Sequence, residues 1–349
     1  MIRYNERQEA ILQFLAEQKT ASRAVIERHI AQFFPEKNSK VTILRDLDML
    51  LGDGKITKTG KARGVVYAYS GLTALDEVDV EVYFAVDPDN RTLKSEYFNF
   101  AIWRDLKNLL TENEKQELAL LNRQFRDNKK VLSAAVFQKE LERLTIEFSW
   151  KSSKIEGNTY SLLDTERLIA EHIEAKGKKQ EEAIMILNHK TALDYIYQRP
   201  DFWKKAGVSK IEDIHRLLVT GLNVSFGIRK NRVGITGTKY RPLENSFQIK
   251  EALEELVQRI NAAPDPVEKA LIAVLGISYI QPFEDGNKRT ARILGNALLL
   301  AHDYCPLSYR SVDEVEYKKG VILFYEQNSV YYFKKIFIEQ FAQAVEKYF

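Results

Sequence analysis

The chain has 349 residues, and its 52 basic residues nearly balance its 49 acidic ones, which leaves a net charge of +3. A hydrophobic content of 45% can supply two or three buried cores. The single cysteine, Cys305, excludes an intrachain disulfide framework and indicates a reducing compartment. No apolar run reaches membrane-spanning length, and the first residues lack the apolar core of a signal peptide. We therefore expect a cytoplasmic protein without membrane partners.

The first 72 residues predict a small domain of three helices followed by a β-hairpin. Ser22 and Ser39 can cap the second and third helices, and short strands follow at 56–59 and 65–69. This order of elements is typical of a winged helix. Apolar residues at helical spacing should form its core: Ile11, Leu12, Leu15, Val25, Ile26, Ile30, Ile43, Leu44, Leu47, Leu50 and Leu51.

The third predicted helix of this domain reads T-I-L-R-D-L over residues 42–47, which resembles the recognition helix of DeoR-type repressors. Residues 1–70 carry twelve basic and eight acidic side chains, so the positive charge of the chain is concentrated here. A winged helix that serves protein contacts or a homodimer is the alternative, because a net charge of +4 does not decide between them. The resemblance implies DNA contacts from the helix and the wing: Lys40, Thr42, Arg45, Lys58, Lys61 and Arg63.

The remainder of the chain is predicted to be mainly α. Valine and phenylalanine alternate with other residues over 78–86, so we interpret residues 73–94 as a strand and linker. Residues 95–349 then form a mostly helical body. Helical patterns occupy these ranges: 95–111, 113–128, 130–155, 164–174, 181–198, 250–261, 266–280, 288–301 and 331–349.

The most specific segment is Q-P-F-E-D-G-N-K-R-T-A-R, residues 281–292. Pro282 ends the apolar helix before it, and a helical pattern resumes after the loop. The loop thus ends at a helix N-terminus, where free backbone N–H groups attract anions. Gly286 permits close approach of a phosphate, and Asp285 offers carboxylate oxygens to Mg²⁺.

This segment resembles the signature of Fic-domain proteins, H-P-F-x-[D/E]-G-N-x-R-x-x-R, at every defined position except the first. The resemblance implies a Fic core over residues 95–349 with a β-hairpin flap. It also implies transfer of AMP from ATP to a serine, threonine or tyrosine hydroxyl of a protein. The implied ligands are Asp285 for Mg²⁺ and, for the nucleotide, Gly286, Asn287, Lys288 and Arg292, with Arg289 as a further forked donor.

The first position of the signature carries Gln281, whereas the family has a histidine that acts as general base. An amide cannot take a proton from a hydroxyl near pH 7, so we expect impaired catalysis. His215, on a neighbouring helix, is either a substitute base or a packing residue. Lys288 is shared with the Doc-like branch, which transfers phosphate. The sequence leaves three functions open: AMP transfer, phosphate transfer and catalytically silent nucleotide sensing by a transcriptional regulator.

The segment S-S-K-I-E-G-N, residues 152–158, resembles the inhibitory motif of the same family, at the end of a helix near 145–158. Ser152, Glu156 and Gly157 occupy the matching positions. The resemblance implies that Glu156 pairs with Arg292 and blocks the γ-phosphate. A helix end capped by Gly157 is an ordinary structural interpretation, and both can hold together.

Residues 227–237 resemble the flap of Fic proteins, a hairpin that clamps the target segment by β-augmentation. Valine and isoleucine alternate there with glycines, which suits an exposed strand edge. An ordinary surface hairpin is the alternative. The predicted target-binding residues are Arg232, Val233, Gly234, Ile235 and Thr236.

Overall fold

The computed structural model describes residues 4–18, 20–34, 39–53, 55–60, 64–69 and 74–349. The chain divides into two compact units, Met1–Asp76 and Glu77–Phe349. Helices dominate both units, and the described strands form one small antiparallel sheet, so the predicted fold class is confirmed. Within these ranges, no helix combines the length and the apolar character that a membrane span requires.

The N-terminal unit places three helices against a three-stranded sheet with the order β1-β3-β2. The predicted helices and both hairpin strands are present. Strand β1 was not predicted, because three residues are too short to show an alternating pattern. In chain order the elements are α1 (Glu6–Gln18), β1 (Thr20–Ser22), α2 (Arg23–Phe33), α3 (Lys40–Gly52), β2 (Ile56–Thr59) and β3 (Val66–Tyr69).

Two side chains that the sequence placed in this core lie at the surface instead. Val25 is 42% exposed and Leu44 is 38% exposed. Each lies beside the buried stripe of its helix, and helical spacing alone does not define the width of that stripe. Conversely, the charged side chain of Asp46 is buried in α3, where it pairs with Arg7 and accepts a hydrogen bond from Gln8 of α1.

The second unit contains twelve helices among the described residues. Strong caps begin several of them; Asp265, for example, accepts hydrogen bonds from two backbone N–H groups at the start of α12. The helices are α4 (Val80–Phe84), α5 (Ile102–Asp105), α6 (Glu112–Val131), α7 (Ala134–Ile155), α8 (Leu162–Glu171), α9 (Gln180–Tyr197), α10 (Val208–Val219), α11 (Ser246–Ala262), α12 (Pro266–Ile280), α13 (Asn287–Ala301), α14 (Glu314–Gln327) and α15 (Tyr331–Tyr348).

Helix α12 forms the centre of this unit, and all its residues from Val267 to Ile280 are buried. Glycines allow its neighbours to approach closely. An added Cβ at Gly276 would lie 2.4 Å from a methyl group of Leu256 in α11. One at Gly295 of α13 would lie 2.9 Å from Val274. The loop between α12 and α13 therefore starts from a rigid, fully packed helix pair.

The strand predicted over residues 78–86 is wrong, because this segment contains the short helix α4. Asp79 caps it by accepting a hydrogen bond from the Val82 N–H at 3.0 Å. Val82 and Val86 are 67% and 40% exposed, so the alternating apolar residues do not share one buried face. A local cap thus outweighs a pattern of alternation that no neighbouring strand supports.

The helix predicted over 95–111 is also wrong, since only α5 is helical there. The surrounding chain follows irregular contacts, such as the hydrogen bond from the Asn99 N–H to the Tyr279 hydroxyl at 3.0 Å. Helix α14, by contrast, was not predicted. Nearly every residue from Gly320 to Gln327 is buried, so the apolar residues of this half do not show a clear helical stripe.

The flap segment, residues 227–237, has no assigned strand and forms a loop with bends and a turn, so the expected hairpin is absent from it. Arg229 ties this loop to neighbouring segments. Its backbone N–H donates to the Pro282 carbonyl at 3.0 Å, and its side chain donates to the carbonyls of Asn231, Leu243 and Gln281. One carbonyl of the flap segment and two carbonyls outside it are therefore bound by one buried guanidinium.

Candidate active site

The loop between α12 and α13 is bounded by two left-handed residues. Gln281, at the end of α12, has φ 51° and ψ 59°, and Pro282 then prevents further helix. Gly286 has φ 79° and occupies the N-cap position of α13, where no side chain provides a capping hydrogen bond. The first N–H groups of α13 consequently remain available to an external anion.

Asn287 holds the loop together from within. Its Oδ1 accepts a hydrogen bond from the Phe283 N–H, and its Nδ2 donates to the Phe283 carbonyl, both at 2.8 Å. The Phe283 ring is fully buried and stacks on His215, with ring centroids 3.8 Å apart. This side chain therefore shapes the loop by bridging both backbone groups of Phe283.

His215 packs beneath the loop rather than lining the cavity above it. Its Nε2 lies 3.1 Å from the Asp285 carbonyl oxygen. That oxygen can only accept, so Nε2 carries the hydrogen. Burial lowers the pKa of His215 to about 4, against the weaker opposing effect of the hydrogen bond to Asp285. The ring is therefore neutral at pH 7, and the structure favours the packing role over that of a substitute base.

Asp285 is positioned at the cavity by Arg289. The Asp285 side chain is 64% exposed, and its Oδ2 lies 2.8 Å from Nη2 of Arg289. Its Oδ1 accepts a hydrogen bond from the Gly286 N–H at 2.6 Å. Arg289 is 1% exposed and also donates to the Leu218 carbonyl at 3.2 Å. Arg289 thus supports the Asp285 carboxylate from below and does not itself line the cavity.

Arg292 is fully buried and is bound to the end of α7. Its Nη2 lies 2.8 Å from Oε1 of Glu156, and its Nε and Nη2 donate to the two oxygens of Ser152, each at 2.9 Å. Glu156 also lies 3.8 Å from Nζ of Lys288 through Oε2. Gly157 follows with φ 96°, which ends the helix there. The structure therefore brings the predicted pair, Glu156 and Arg292, into direct contact.

The Glu156 carboxylate is charged in this arrangement. Burial raises the pKa of Glu156, but the positive charges of Arg292 and Lys288 outweigh that effect, and the pKa lies below its usual range. One carboxylate thus occupies one Nη2 hydrogen of Arg292 and attracts Lys288. Any phosphate that reaches these two cations must displace it.

A cavity of about 410 Å³ joins the three predicted segments. Helix α14, which the sequence did not predict, supplies the wall that completes it. Ser152, Arg232, Arg289 and Arg292 do not line it. The lining residues are Ile155, Glu156 and Gly157 of the inhibitory motif, Val233, Gly234, Ile235 and Thr236 of the flap, Gln281, Glu284, Asp285, Gly286, Asn287 and Lys288 of the loop, and Tyr317, Lys318, Val321, Ile322 and Tyr325 of α14.

Gln281 lines this cavity at the position of the family's general base, and its amide is tied to the protein. The side-chain Nε2 donates to the Ser278 carbonyl at 2.7 Å, and the backbone carbonyl of Gln281 accepts from Nε of Arg229 at 2.7 Å. A neutral amide held in this way can orient a hydroxyl, but it cannot remove a proton at neutral pH.

Arg229 and His189 belong to the site, and the sequence assigned a role to neither of them. Arg229 is 2% exposed and joins the flap to the loop through Gln281. His189 is fully buried against Ser152. Nothing in the sequence distinguishes Arg229 from Arg232, three residues later, which is exposed and pairs with Glu244 at 2.8 Å. Their environments differ only in the folded chain.

In the N-terminal unit, the candidate DNA-binding side chains have different environments. Lys40 and Arg45 are exposed on α3, and Lys58 is exposed on β2. Thr42 is half-buried, and its hydroxyl lies 2.7 Å from that of the N-cap residue Ser39. Lys61 and Arg63 lie outside the described residues.

Comparison with known proteins identifies the region around this site. Residues 205–299 match the Fic/DOC family model, so the chain contains a Fic/DOC family domain. A protein adenylyltransferase Fic from Nematostella vectensis is 28% identical over 179 residues, which are 48% of this chain and 40% of that protein. The chain thus spans less than half the length of this curated relative.

Solved structures have the same fold. Fic-1 from C. elegans superposes with a TM-score of 0.60 at 19% identity, over 68% of this chain and 72% of that one. A Fic domain containing signaling protein from Bacteroides thetaiotaomicron superposes with a TM-score of 0.55 at 19% identity, over 67% of this chain and 94% of that one. These superpositions extend well beyond the segment that matches the family model.

Proposed function

We propose that the second unit is a Fic-type protein adenylyltransferase with an inhibitory contact and an impaired general-base position. It would transfer AMP from ATP to a serine, threonine or tyrosine hydroxyl of a partner protein in the cytoplasm. The observation that carries the proposal is the uncapped N-terminus of α13, which shares one cavity with Asp285, Lys288 and the flap.

The loop suits the phosphates of a nucleotide. The backbone N–H groups of Asn287 and Lys288 at the positive end of α13 offer an anion site that Gly286 allows a phosphate to approach closely, and the Lys288 side chain adds a cation at the cavity. Arg292 would take the γ-phosphate with the edge of its guanidinium that Glu156 now occupies. Each of these groups contributes a positive charge or a hydrogen-bond donor, and the negatively charged oxygens of a triphosphate can bind both.

The donor set at the loop also fits Mg²⁺ bound together with phosphates. No cluster of three or more candidate metal-binding side chains occurs among the described residues, so an all-protein metal cage is not the arrangement here. Mg²⁺ commonly takes one or two carboxylates plus phosphate oxygens. Asp285 supplies an exposed carboxylate at the cavity, and bound Mg²⁺ would neutralise phosphate charge beside it.

In the proposed reaction, the target hydroxyl oxygen attacks the α-phosphorus of ATP, and the bond to pyrophosphate breaks. The hydroxyl proton requires an acceptor. Gln281 has none of the necessary basicity, and His215 is turned below the loop. We therefore infer that the transfer is slow, by a factor on the order of 10²–10⁴ relative to a chain with a functional base.

Residues 233–236 would guide the target segment to this cavity. They line it without belonging to any assigned strand, which leaves backbone groups for an incoming peptide. Arg229 fixes the base of this loop to Gln281 and Pro282, so a bound segment would be held at a constant distance from the base position.

Labelled ATP distinguishes this proposal from its two alternatives. The chain would be incubated with Mg²⁺ and ATP carrying the label on either the α- or the γ-phosphate, and self-modification would be measured. We expect little labelling of the unaltered chain and strong α-label incorporation by the variant with both Gln281→His and Glu156→Gly. Gln281→Asn with Glu156→Gly is the matched control and should stay inactive, because it provides no base.

Each alternative has its own outcome in this experiment. Incorporation of the γ-label favours phosphate transfer, which Lys288 suggests. ATP binding without any labelling favours a silent nucleotide-sensing regulator. Strong α-labelling by the unaltered chain would show that the general base is a group other than the residue at position 281.

For residues 1–72, we propose a DNA-binding winged helix. The supporting observation is the free face of α3, where Lys40, Val41, Leu44 and Arg45 are all exposed. Arginine can read guanine in the major groove, and apolar side chains can contact thymine methyl groups. The rival interpretation is a homodimer through the same face. Sedimentation of the chain at several concentrations tests it, since a dimer that depends on this face should dissociate in the variant Val41→Glu.

A further inference from the structure

The guanidinium of Arg292 binds Ser152 and Glu156 through different edges. Its side edge, Nε and Nη2, donates to Oγ and the carbonyl oxygen of Ser152, each at 2.9 Å. Its end edge consists of Nη1 and Nη2. Nη2 donates to Glu156 at 2.8 Å, and Nη1 has no hydrogen-bond partner among the described residues. A phosphate can therefore displace Glu156 from the end edge while Ser152 keeps the side edge.

The hydroxyl of Ser152 acts as an acceptor toward Arg292 because His189 takes its hydrogen. Oγ of Ser152 lies 2.8 Å from Nε2 of His189. On the other side of the ring, Nδ1 lies 2.8 Å from the Met185 carbonyl oxygen, which can only accept. Nδ1 therefore carries the ring hydrogen, and Nε2 is free to accept one from Ser152.

The imidazole of His189 stays neutral, which this chain of hydrogen bonds requires. Its burial, together with the positive charges of Arg289 and Arg292, lowers the pKa of His189 to about 3. A protonated ring would donate from both nitrogens and would force the Ser152 hydroxyl to point its hydrogen elsewhere. At neutral pH the direction is thus fixed, from Arg292 to Ser152 to His189 to Met185.

We propose that His189 is a positioning residue that, through Ser152, orients Arg292 to receive the phosphate of a bound nucleotide. This inference rests on the proposed function. It gives Ser152 and Glu156 opposite effects, although both lie in the inhibitory motif. Ser152 supports nucleotide binding because it holds the edge of Arg292 that a phosphate does not need, whereas Glu156 competes for the edge that it does need.

Calorimetric titration of the full chain with ATP in the presence of Mg²⁺ tests whether Ser152 and Glu156 change ATP affinity in opposite directions. Glu156→Gln should tighten binding. In that background, His189→Phe removes the acceptor at similar volume and should weaken binding about tenfold, the loss of one hydrogen bond to a charged group. Ser152→Ala should do the same. His189→Gln keeps an acceptor at the end of the side chain and should restore most of the affinity.

Ser153→Ala is the control for a packing defect. The Ser153 hydroxyl lies 3.2 Å from Nδ1 of the same histidine, and the described hydrogen bonds of Arg292 do not include it, so its loss should leave ATP affinity unchanged. If Ser152→Ala or His189→Phe tightens ATP binding, the proposal is overturned, since Ser152 would then be a second inhibitory contact. Equal weakening by Ser153→Ala or by His189→Gln would also overturn it.

A measurement without nucleotide separates this inference from the proposed function. In NMR spectra of the ligand-free chain, the Nε–H of Arg292, assigned with Arg292→Lys, should exchange slowly with solvent. It should stay slow in Glu156→Gln and become fast in Ser152→Ala and His189→Phe. If this pattern appears but no variant binds ATP, the adenylyltransferase proposal fails and the orienting role of His189 stands. Slow exchange in all variants would disprove the orienting role.

Discussion

The segment at residues 281–292, which comprises the loop and the first turns of α13, and the free face of α3 are both candidate binding surfaces, but their polar side chains differ in burial. In that segment, Asn287, Arg289 and Arg292 are at least 95% buried, and each is bound by neighbouring protein groups. On α3, Lys40 and Arg45 are exposed to solvent. The first surface is organised before any ligand arrives, and the second must order its side chains when it binds.

Because of this difference in burial, substitutions in the two regions should affect different properties of the protein. A buried polar group that loses its partner costs folding free energy as well as function. An exposed side chain changes the stability of the fold by no more than about 0.5 kcal/mol in most cases. The same kind of substitution, arginine to alanine, should therefore report on stability in one region and on binding alone in the other.

Arg229→Ala should have the largest effect on stability. It leaves three carbonyls without their donor, those of Asn231, Leu243 and Gln281. We expect a loss on the order of 3 kcal/mol in the free energy of unfolding, measured by urea denaturation of the full chain. Arg232→Ala, three residues later and exposed, should change it by less than about 0.5 kcal/mol. If Arg229→Ala and Arg232→Ala lowered the free energy of unfolding equally, the contrast between buried and exposed arginines would be wrong.

Arg45→Ala should leave stability unchanged and weaken DNA binding by about 1–3 kcal/mol. The measurement is binding to duplexes enriched by the chain from a random-sequence pool, at several salt concentrations. Asp46→Ala is the matched neighbour: Asp46 is buried and pairs with Arg7, so its loss should lower stability instead. Failure to enrich any sequence would remove DNA binding from the functions of this unit.

Asp285→Ala tests the exposed carboxylate of the otherwise buried loop. Because this side chain is the proposed Mg²⁺ ligand, the variant should lose about tenfold in ATP affinity in the presence of Mg²⁺ and very little in its absence. Calorimetry with and without Mg²⁺ measures both. A loss of the same size in both conditions would show that Asp285 acts by shaping the loop through Arg289 rather than by holding a metal.

The smallest expected effect concerns pH. His189 is neutral in the folded chain, with a pKa of about 3, whereas an unfolded histidine binds a proton below about pH 6.5. Stability is therefore lost as pH falls from 6.5 toward 3. Between pH 7.5 and 5.5, the unaltered chain should lose about 1 kcal/mol more than His189→Gln, measured by urea denaturation. An identical pH dependence of both proteins would mean that the pKa of His189 does not differ between the folded and unfolded chains.

Local chemistry explains which parts of this molecule could be predicted from the sequence. The end of α12 at Gln281, the loop and the start of α13 follow from Pro282, Gly286 and the return of helical spacing. The contact between Glu156 and Arg292 came from family resemblance rather than from spacing, since 135 residues lie between them. The short helix α4 was missed because one aspartate cap outweighed five alternating apolar residues.

The sequence by itself determined the mainly helical class, the position of the loop between α12 and α13 and the absence of a basic group at position 281. Those features depend on residues adjacent in the chain, whose backbone preferences act locally. Tertiary structure alone decided that Arg229 binds carbonyls, that His215 packs under the loop and that His189 receives the Ser152 hydrogen. Burial and hydrogen-bond direction depend on neighbours that are distant in sequence, and identical residue types acquire different roles from them.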